Sequence, residues 1–255
     1  MKIYKLLVLT PKVRRELYEA CELSRYEKYC VLTIPTNIRK DVGVGRIKIG
    51  QKCRRGVAGD RNTCSPGYKN ILVTSASNNK INGELASTFS PLRLGPVYRD
   101  GKVVAQKFEN YWQFGKMWPT AGHIKDGLPT DKWFAFREKG YKMDKGKRRL
   151  IPVRQYGFPT SSYYDGKVYG YVESRIEYYI PIYAELIENL PVMNELRKLL
   201  ESGQDIMIID GDGAPKSLYP EGMDVTYENW MKMRDDPRFP FGHGYVIAGM
   251  LAGFI

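Results

Sequence analysis

Strand-type and helix-type segments interleave along this chain of 255 residues, but they follow no regular strand–helix–strand period. A doubly wound parallel sheet needs that period, because each crossover between its strands uses a helix. The irregular order therefore favours an α+β fold in which helices surround a mixed sheet. Strands are predicted over residues 2–9, 30–35, 45–50, 69–76 and 205–210.

Helical segments are recognised by apolar residues at helical spacing and by residues that start or stop a helix. Thr10 and Pro11 offer a capping hydroxyl followed by a proline at the first helical position, which predicts a helix as far as Tyr29. Pro181 and Pro191 are expected to break or kink a long helical region. The other helices are predicted over residues 107–117, 131–139, 177–200, 224–234 and 244–254.

Charge is distributed unevenly between the two parts of the chain. Residues 1–150 carry 31 Lys and Arg against 13 Asp and Glu, a net charge of +18. Residues 151–255 carry 9 basic and 15 acidic residues, a net charge of −6. The basic part should attract phosphates, nucleic acid or an acidic partner. A solvated basic face that binds no ligand is the alternative interpretation.

Apolar runs in this chain are all short. None approaches the roughly 18 residues that a membrane-spanning helix needs. The apolar segment near the N-terminus, at about five residues, is shorter than the core of a signal peptide. We therefore expect a cytoplasmic protein with no membrane partner.

Neither a metal nor a cofactor is expected. The spacings of the cysteines fit no zinc ribbon or finger, so reduced thiols are favoured over a zinc site or disulfides. His123 and His243 are the only histidines, which excludes a three-histidine metal site. The common phosphate-loop and dinucleotide-binding motifs do not occur. The four cysteines are Cys21, Cys30, Cys53 and Cys64.

The segment FENYWQFGKMW, residues 108–118, is the most informative part of the chain. Helical spacing places Glu109, Gln113 and Lys116 on one face. A carboxylate there can orient water or stabilise an oxocarbenium ion, an amide can bind a polar edge, and an ammonium can hold a phosphate. An ordinary exposed Glu–Lys helix face is the alternative. The aromatic residues of the other face are Phe108, Tyr111, Trp112 and Trp118.

FENYWQFGK resembles the E-h-x-x-Q-x-x-K signature of the NADAR family, in the N-glycosidase-like superfamily that includes an enzyme linked to riboflavin biosynthesis. Residues 75–106 occupy the place of the segment that precedes this signature in the family. They carry Ser90-Pro91 and, at Asp100-Gly101, a hairpin turn of the type that favours positive φ. PFGHGYVIAGML, residues 240–251, is similar to the small-residue segment that opens the family's last helix.

This resemblance implies a NADAR-like domain over residues 66–255 and a basic N-terminal extension over residues 1–65, packed on that domain. It also implies hydrolysis of an N-glycosidic bond in a ribosyl-phosphate, ADP-ribosyl or nucleotide substrate. By position in the signature, Glu109 would be the catalytic carboxylate, with Gln113 and Lys116 beside it.

A second acidic site is predicted at IIDGDG, residues 208–213. Asp210 and Asp212 follow a buried-type strand across a sharp glycine turn. Both could bind ribose hydroxyls, assist the attacking water or hold a metal. Asp210 is the candidate for catalysis and Asp212 the candidate for substrate binding. The alternative is that both residues only form the turn. His243 lies between two glycines just before a helix, where it could contact an anion.

Further side chains are candidates for holding the substrate. Tryptophan rings could stack its base, although plain core packing would also explain them. The candidate stacking residues are Trp112, Trp118 and Trp133. The candidates for phosphate and other polar contacts are Ser90, Arg93, Asn110, Arg148 and Arg149.

Two other functions fit the same sequence. A non-catalytic nucleic-acid-binding protein would use the basic residues 1–150 for phosphates and the aromatic rings for bases. A base-modifying glycosyl or ADP-ribosyl transferase would use the same pocket with an acceptor other than water. A basic region that delivers an enzyme to nucleic acid would combine binding and catalysis.

Overall fold

The computed structural model of the chain describes residues 44–54, 57–147 and 151–255. The strands predicted over residues 2–9 and 30–35, and the helix predicted after Thr10, lie outside the described residues. Val44–Phe254 form one compact unit. The division predicted at residue 65 therefore falls inside this unit.

Short strands and helices alternate along the described residues. The strands are β1 (Ile47–Gln51), β2 (Lys69–Leu72), β3 (Lys80–Ile81), β4 (Glu84–Leu85), β5 (Val97–Arg99), β6 (Lys102–Ala105), β7 (Lys116–Met117), β8 (Ile124–Lys125), β9 (Leu128–Pro129), β10 (Ser161–Tyr164), β11 (Lys167–Tyr169), β12 (Ile206–Asp210) and β13 (Met223–Asp224). The helices are α1 (Phe108–Phe114), α2 (Asp131–Tyr141), α3 (Val153–Tyr156), α4 (Tyr171–Ser174), α5 (Ile180–Ile187), α6 (Pro191–Glu201), α7 (Tyr227–Asp235) and α8 (His243–Leu251). A π-helical turn, Arg175–Tyr179, joins α4 to α5, and 3-10 turns form at Ala86–Phe89 and Pro119–Ala121.

The main sheet has the strand order β13–β1–β12–β2. β12 is parallel to both β1 and β2, whereas β13 is antiparallel to β1. All five residues of β12 are buried, which explains its nearly continuous apolar sequence, because a central parallel strand is covered on both faces. α8 packs on β12 and β1, and α5 packs on α8. The protein therefore has an α+β fold with a mixed sheet.

Most predicted elements inside the described residues are present. β1, β2 and β12 are the strands predicted over residues 45–50, 69–76 and 205–210, and the predicted break at Pro191 is the start of α6. The helix predicted over residues 107–117 was too long, because α1 ends at Phe114. A Cβ at Gly115 would overlap the Tyr164 ring, so the chain turns there in close contact with β10 and enters β7.

The hairpin predicted around Asp100-Gly101 joins β5 to β6. Both turn residues have positive φ, 49° for Asp100 and 73° for Gly101. This is the backbone conformation that two-residue hairpin turns prefer, because it matches the twist of the two strands. A short turn sequence was therefore sufficient to predict this hairpin.

Buried tyrosines occupy much of the space around α1. Tyr111 stacks on Tyr141 and Tyr164, with ring centroids 5.5 and 5.2 Å away. On the other side of the helix, Tyr179 and Tyr183 lie parallel at 6.0 Å. Burial, which penalises the phenolate, raises the pKa of Tyr141, Tyr164, Tyr179 and Tyr183 well above the ordinary value of 10.0.

These tyrosines predict alkaline unfolding. Above pH 10 they lose protons in the unfolded state but keep them in the folded state, so stability present below pH 10 is lost as the pH rises. Each such tyrosine lowers the free energy of unfolding by about 1.4 kcal/mol per pH unit. Circular dichroism and tyrosinate absorbance should therefore change together in an alkaline titration.

Tyr164→Phe removes one buried phenol, since Tyr164 is 3% exposed, and should move the alkaline midpoint to higher pH. Tyr98→Phe is the control, because Tyr98 is 56% exposed and its ring is not part of the buried tyrosine cluster. Ionisation of the buried tyrosines in a protein that is still folded would contradict the prediction.

Candidate active site

Glu109 lies in the first turn of α1, where the helix dipole favours a negative charge. Its backbone N–H donates to the carbonyl of Pro91 at 3.0 Å, and only 7% of the residue is exposed. The preceding residue, Phe108, is fully buried against Tyr179 and Tyr183. These contacts hold the acid within the protein instead of on the exposed helix face of the alternative interpretation.

Hydrogen bonds connect the three residues of the signature segment. Gln113 Nε2 donates to Glu109 Oε1 at 3.1 Å, and Lys116 Nζ donates to Gln113 Oε1 at 3.2 Å. The two bonds fix which end of the Gln113 amide faces each charge. The spacing predicted that Lys116 lies on the same helix face as Glu109 and Gln113. This was wrong, because the helix has ended and Lys116 begins β7. Its side chain nevertheless reaches back to Gln113.

Lys116 is the basic group of this cluster. Burial lowers its pKa from 10.5 to about 8, while the nearby carboxylates of Glu109 and Asp212 act in the opposite direction. Its Nζ lies 4.8 Å from the centre of the Trp112 ring, a cation–π contact. Lys116 is therefore a cation at neutral pH that can lose its proton in mildly alkaline solution.

Asp210 ends β12, and its carboxylate is occupied by contacts within the protein. Oδ1 accepts from the backbone N–H of Gly211 at 2.6 Å, and Oδ2 accepts from that of Gly244 at 3.0 Å. Oδ2 also lies 3.1 Å from Nδ1 of His243. This arrangement favours a positioning role for Asp210 over the catalytic role that the sequence suggested.

His243 is buried between Asp210 and the carbonyl of Val73, which lies 2.9 Å from Nε2. A carbonyl oxygen only accepts, so Nε2 is the donor of that contact. Nδ1 faces the carboxylate of Asp210. His243 thus ties β12 to the end of β2 and to the start of α8, and both its ring nitrogens are occupied without an anion.

Asp212 is presented by the glycine turn that follows β12. A Cβ at Gly213 would overlap the carbonyl of Gly50 in β1, so the turn lies directly against the sheet. A Cβ at Gly242 would come within 2.8 Å of the Asp212 Cβ, so the segment before α8 also packs on this turn. The negative charge of Asp212 raises the pKa of both Lys116 and Tyr179, so this predicted residue acts electrostatically on the Glu109 cluster.

Tyr179 is the main residue of this region that the sequence did not predict. Its ring makes an edge contact with Trp112 at 4.9 Å. Burial raises its pKa, and the negative charges of Asp210, Glu109 and Asp212 raise it further. The π-helical turn that ends at Tyr179 is a feature often found at functional sites, but nothing in the sequence indicated it.

Other predicted residues have structural contacts of their own. The side-chain amide of Asn110 donates to the carbonyls of Met143 and Lys145, and its oxygen accepts from the N–H of Lys147. These three bonds hold the loop of residues 143–147 against α1. Trp133 is fully buried, and its indole N–H donates to the Lys116 carbonyl at 2.9 Å. Asn110 and Trp133 therefore stabilise the backbone around the site, and their polar atoms are used by the protein itself.

The remaining predictions divide between turns, core and undescribed residues. Ser90 is buried in a turn where its carbonyl accepts from the N–H groups of Arg93 and Leu94, and the exposed side chain of Arg93 donates to the carbonyl of Ser75. Trp118 packs in a small cluster with Ala121 and Ile151. Arg148 and Arg149 lie outside the described residues.

The described residues contain neither a metal-ligand cluster nor a membrane-spanning helix. Cys53 and Cys64 are free thiols, while Cys21 and Cys30 lie in the undescribed N-terminal residues. Among residues 44–54, 57–147 and 151–255, no group of three or more His, Cys, Asp or Glu side chains could hold a metal ion. No helix in these ranges has the length and apolar character to cross a membrane.

The contact between Gly213 and Gly50 predicts that the turn carrying Asp212 tolerates no side chain at residue 213. Gly213→Ala should cost about 1–3 kcal/mol, because its new methyl group overlaps a backbone carbonyl. Gly211→Ala, two residues earlier, is the matched control, since a Cβ there meets nothing within 4 Å. Thermal unfolding of both variants checks the prediction, and equal midpoints would contradict it.

Comparisons with known proteins complete the description of the site. No protein-family model, no curated protein and no solved structure matches the chain. The residues of the cluster around Glu109, and the signature that they resemble, are therefore the only indications of its function.

Proposed function

We propose that this protein is an N-glycosidase-like hydrolase that cleaves the N-glycosidic bond of a ribosyl-phosphate, ADP-ribosyl or nucleotide substrate. The observation that carries the proposal is the partly buried hydrogen-bonded chain of Glu109, Gln113 and Lys116. Two aromatic rings lie beside that chain, and the charge of Asp212 acts on it. The resemblance of residues 108–116 to the NADAR signature supports the same activity and a NADAR-like core with a basic N-terminal extension.

Glu109 supplies the carboxylate for this reaction. Breaking an N-glycosidic bond develops positive charge on the ribose, and a fixed carboxylate beside the anomeric carbon stabilises that charge. The same carboxylate can orient the attacking water. The hydrogen bond from Gln113 keeps Oε1 in one orientation, so little reorganisation is needed when the charge develops.

Lys116 and the rings position the rest of the substrate. The ammonium of Lys116 binds a phosphate oxygen, and Trp112 and Tyr179 offer aromatic surface to the leaving base. Asp212 is placed to accept hydrogen bonds from ribose hydroxyls. In this proposal Asp210 and His243 act only by holding the turn that carries Asp212.

The charge of the chain fits an anionic substrate in the cytoplasm. The net charge of +18 over residues 1–150 supplies attraction to phosphates without sequence preference, and this would extend to nucleic acid that carries the scissile bond. A target base inside a duplex would first have to be flipped out of the helix.

Glu109→Gln tests the catalytic role directly. Incubation with NAD, ADP-ribosylated nucleic acid and ribosyl-phosphate nucleotides, followed by chromatography, should show released base or ADP-ribose from the wild type. We expect the variant to lose about 100-fold or more in rate, because the amide cannot balance the charge on the ribose. Glu185→Gln is the control, since Glu185 is exposed on α5 and lines neither the Glu109 cluster nor the cavity beside the β5–β6 hairpin. Unchanged turnover in Glu109→Gln would disprove the proposal.

The pKa of Lys116 predicts the pH dependence of the same reaction. The side chain is protonated below about pH 8 and loses its charge above that value, so kcat/KM should fall as the pH rises through 8. Lys116→Arg stays charged throughout this range and should lose this alkaline limb, even if its overall rate is lower. A wild-type profile that is flat from pH 7 to about pH 9 would count against a role for the ammonium.

A further inference from the structure

A cavity of about 740 Å³ lies between the β5–β6 hairpin, α2 and β10. Its volume falls within the roughly 300–1,000 Å³ that is typical of small-molecule sites. Tyr111 of α1 also lines the cavity. It lies two positions after Glu109, a rotation of about 200° around the helix axis, so the two side chains leave the helix on opposite sides. Glu109, Gln113 and Lys116 do not line it, so this cavity is separate from the candidate active site.

Aromatic rings form much of the cavity surface. The stacked rings of Tyr111, Tyr141 and Tyr164 contribute to it, and they are fixed by their mutual contacts. Phe134 and Tyr163 add two more rings, with centroids 6.0 Å apart and nearly perpendicular planes. Phe134 is 37% exposed although it is fully apolar. Exposed ring surface beside a cavity is suited to a planar ligand.

The charges around the cavity are unequally compensated. Arg99 pairs with Asp165 at 3.0 Å, and Lys142 pairs with Glu138 at 2.6 Å. Arg137 lies among these residues, yet no carboxylate in the described part of the chain comes within ion-pair distance of it. Lys102, on the hairpin, likewise forms no ion pair among the described residues, and the carboxylate of Asp100 in the hairpin turn also lines the cavity, so the two unpaired cations outnumber the one unpaired acid.

Arg137 is held in place by rings instead of by an acid. The centre of its guanidinium lies 4.8 Å from the Trp133 ring and 5.2 Å from the Phe134 ring. Within the described residues, no protein atom accepts a hydrogen bond from this guanidinium. A half-buried arginine whose donors are unused beside a cavity is a ready site for a phosphate or carboxylate.

We propose that this cavity binds a nucleotide unit, a planar base joined to a phosphate. The base lies against Phe134 and Tyr163, and the phosphate is held by Arg137 and Lys102. An extended peptide is the competing occupant, because residues of β6 also line the cavity. Exposed rings next to unpaired cations favour the planar anion over a peptide strand.

Calorimetric titration tests this assignment with four probes: inorganic phosphate, adenosine, adenosine monophosphate and a short single-stranded oligonucleotide. We expect the monophosphate to bind more tightly than either phosphate or adenosine, because it alone uses both the rings and the cations. Arg137→Gln should weaken its binding about tenfold. Phe134→Ala should weaken it about fivefold or more, through the loss of stacking.

Two further variants make the titration decisive. Lys102→Gln changes an exposed hairpin residue, so it should fold normally and still weaken binding even if Arg137→Gln is unstable. Lys139→Gln is the matched control, because it removes one exposed charge from the same helix, α2, outside the cavity. Its affinity should stay within about twofold of the wild type, since a distant surface charge contributes little.

The oligonucleotide distinguishes the two sources of the ligand. Equal affinity for monophosphate and oligonucleotide would indicate a free nucleotide, whereas much tighter oligonucleotide binding with the same dependence on Arg137 would indicate a nucleic-acid strand. Wild-type affinity in both Arg137→Gln and Lys102→Gln, or an equal loss in Lys139→Gln, would overturn the proposal. So would a monophosphate that binds no more tightly than phosphate or adenosine, because the rings and the cations would then not act on one ligand.

Titration of Glu109→Gln separates this proposal from the proposed hydrolase activity. The cavity does not include Glu109, so monophosphate binding that depends on Arg137 should persist in this variant. If the wild type releases no base or ADP-ribose, the hydrolase proposal fails, but monophosphate binding that depends on Arg137 is still expected. Loss of the Arg137-dependent binding in Glu109→Gln would instead show that the nucleotide occupies the cluster around Glu109.

Discussion

The contacts of the Asp210 carboxylate organise the end of the main sheet. One oxygen accepts from the Gly211 N–H, and the other accepts from the Gly244 N–H at the start of α8 and faces the His243 ring. A buried carboxylate is unfavourable unless such partners surround it, so the segments that supply them must keep their places. The position of the Asp212 turn, the start of α8 and the end of β2 all follow from this one buried group.

The sequence predicted correctly those elements that depend on residues close together in the chain. The continuous apolar run of β12, the Asp100-Gly101 turn and the helix start at Pro191 each depend on a few neighbouring residues, and each is present. The length of α1 was predicted incorrectly, because its end is set by contact between Gly115 and Tyr164, about fifty residues later. No periodicity within residues 108–118 could reveal that contact.

The candidate site was predictable to the same extent. Glu109, Gln113 and Lys116 were selected from one segment, and they do form a connected chain. The separate roles of Asp210 and Asp212 could not be read from the sequence, because they depend on which carboxylate meets His243 and Gly244 from the distant helix α8. Tyr179 was missed for a related reason, since the charges that act on it depend on packing between α1, β12 and the π-helical turn.

Lys116 has a backbone that is held independently of its side chain. Its carbonyl accepts from the Trp133 indole, and its strand pairs with β10 opposite Ser162. The framework at this position therefore does not rely on the ammonium group that it presents. The functional group at residue 116 could therefore be exchanged, by natural variation or by protein engineering, without loss of the surrounding structure. Substitution at this position is a route to altered selectivity.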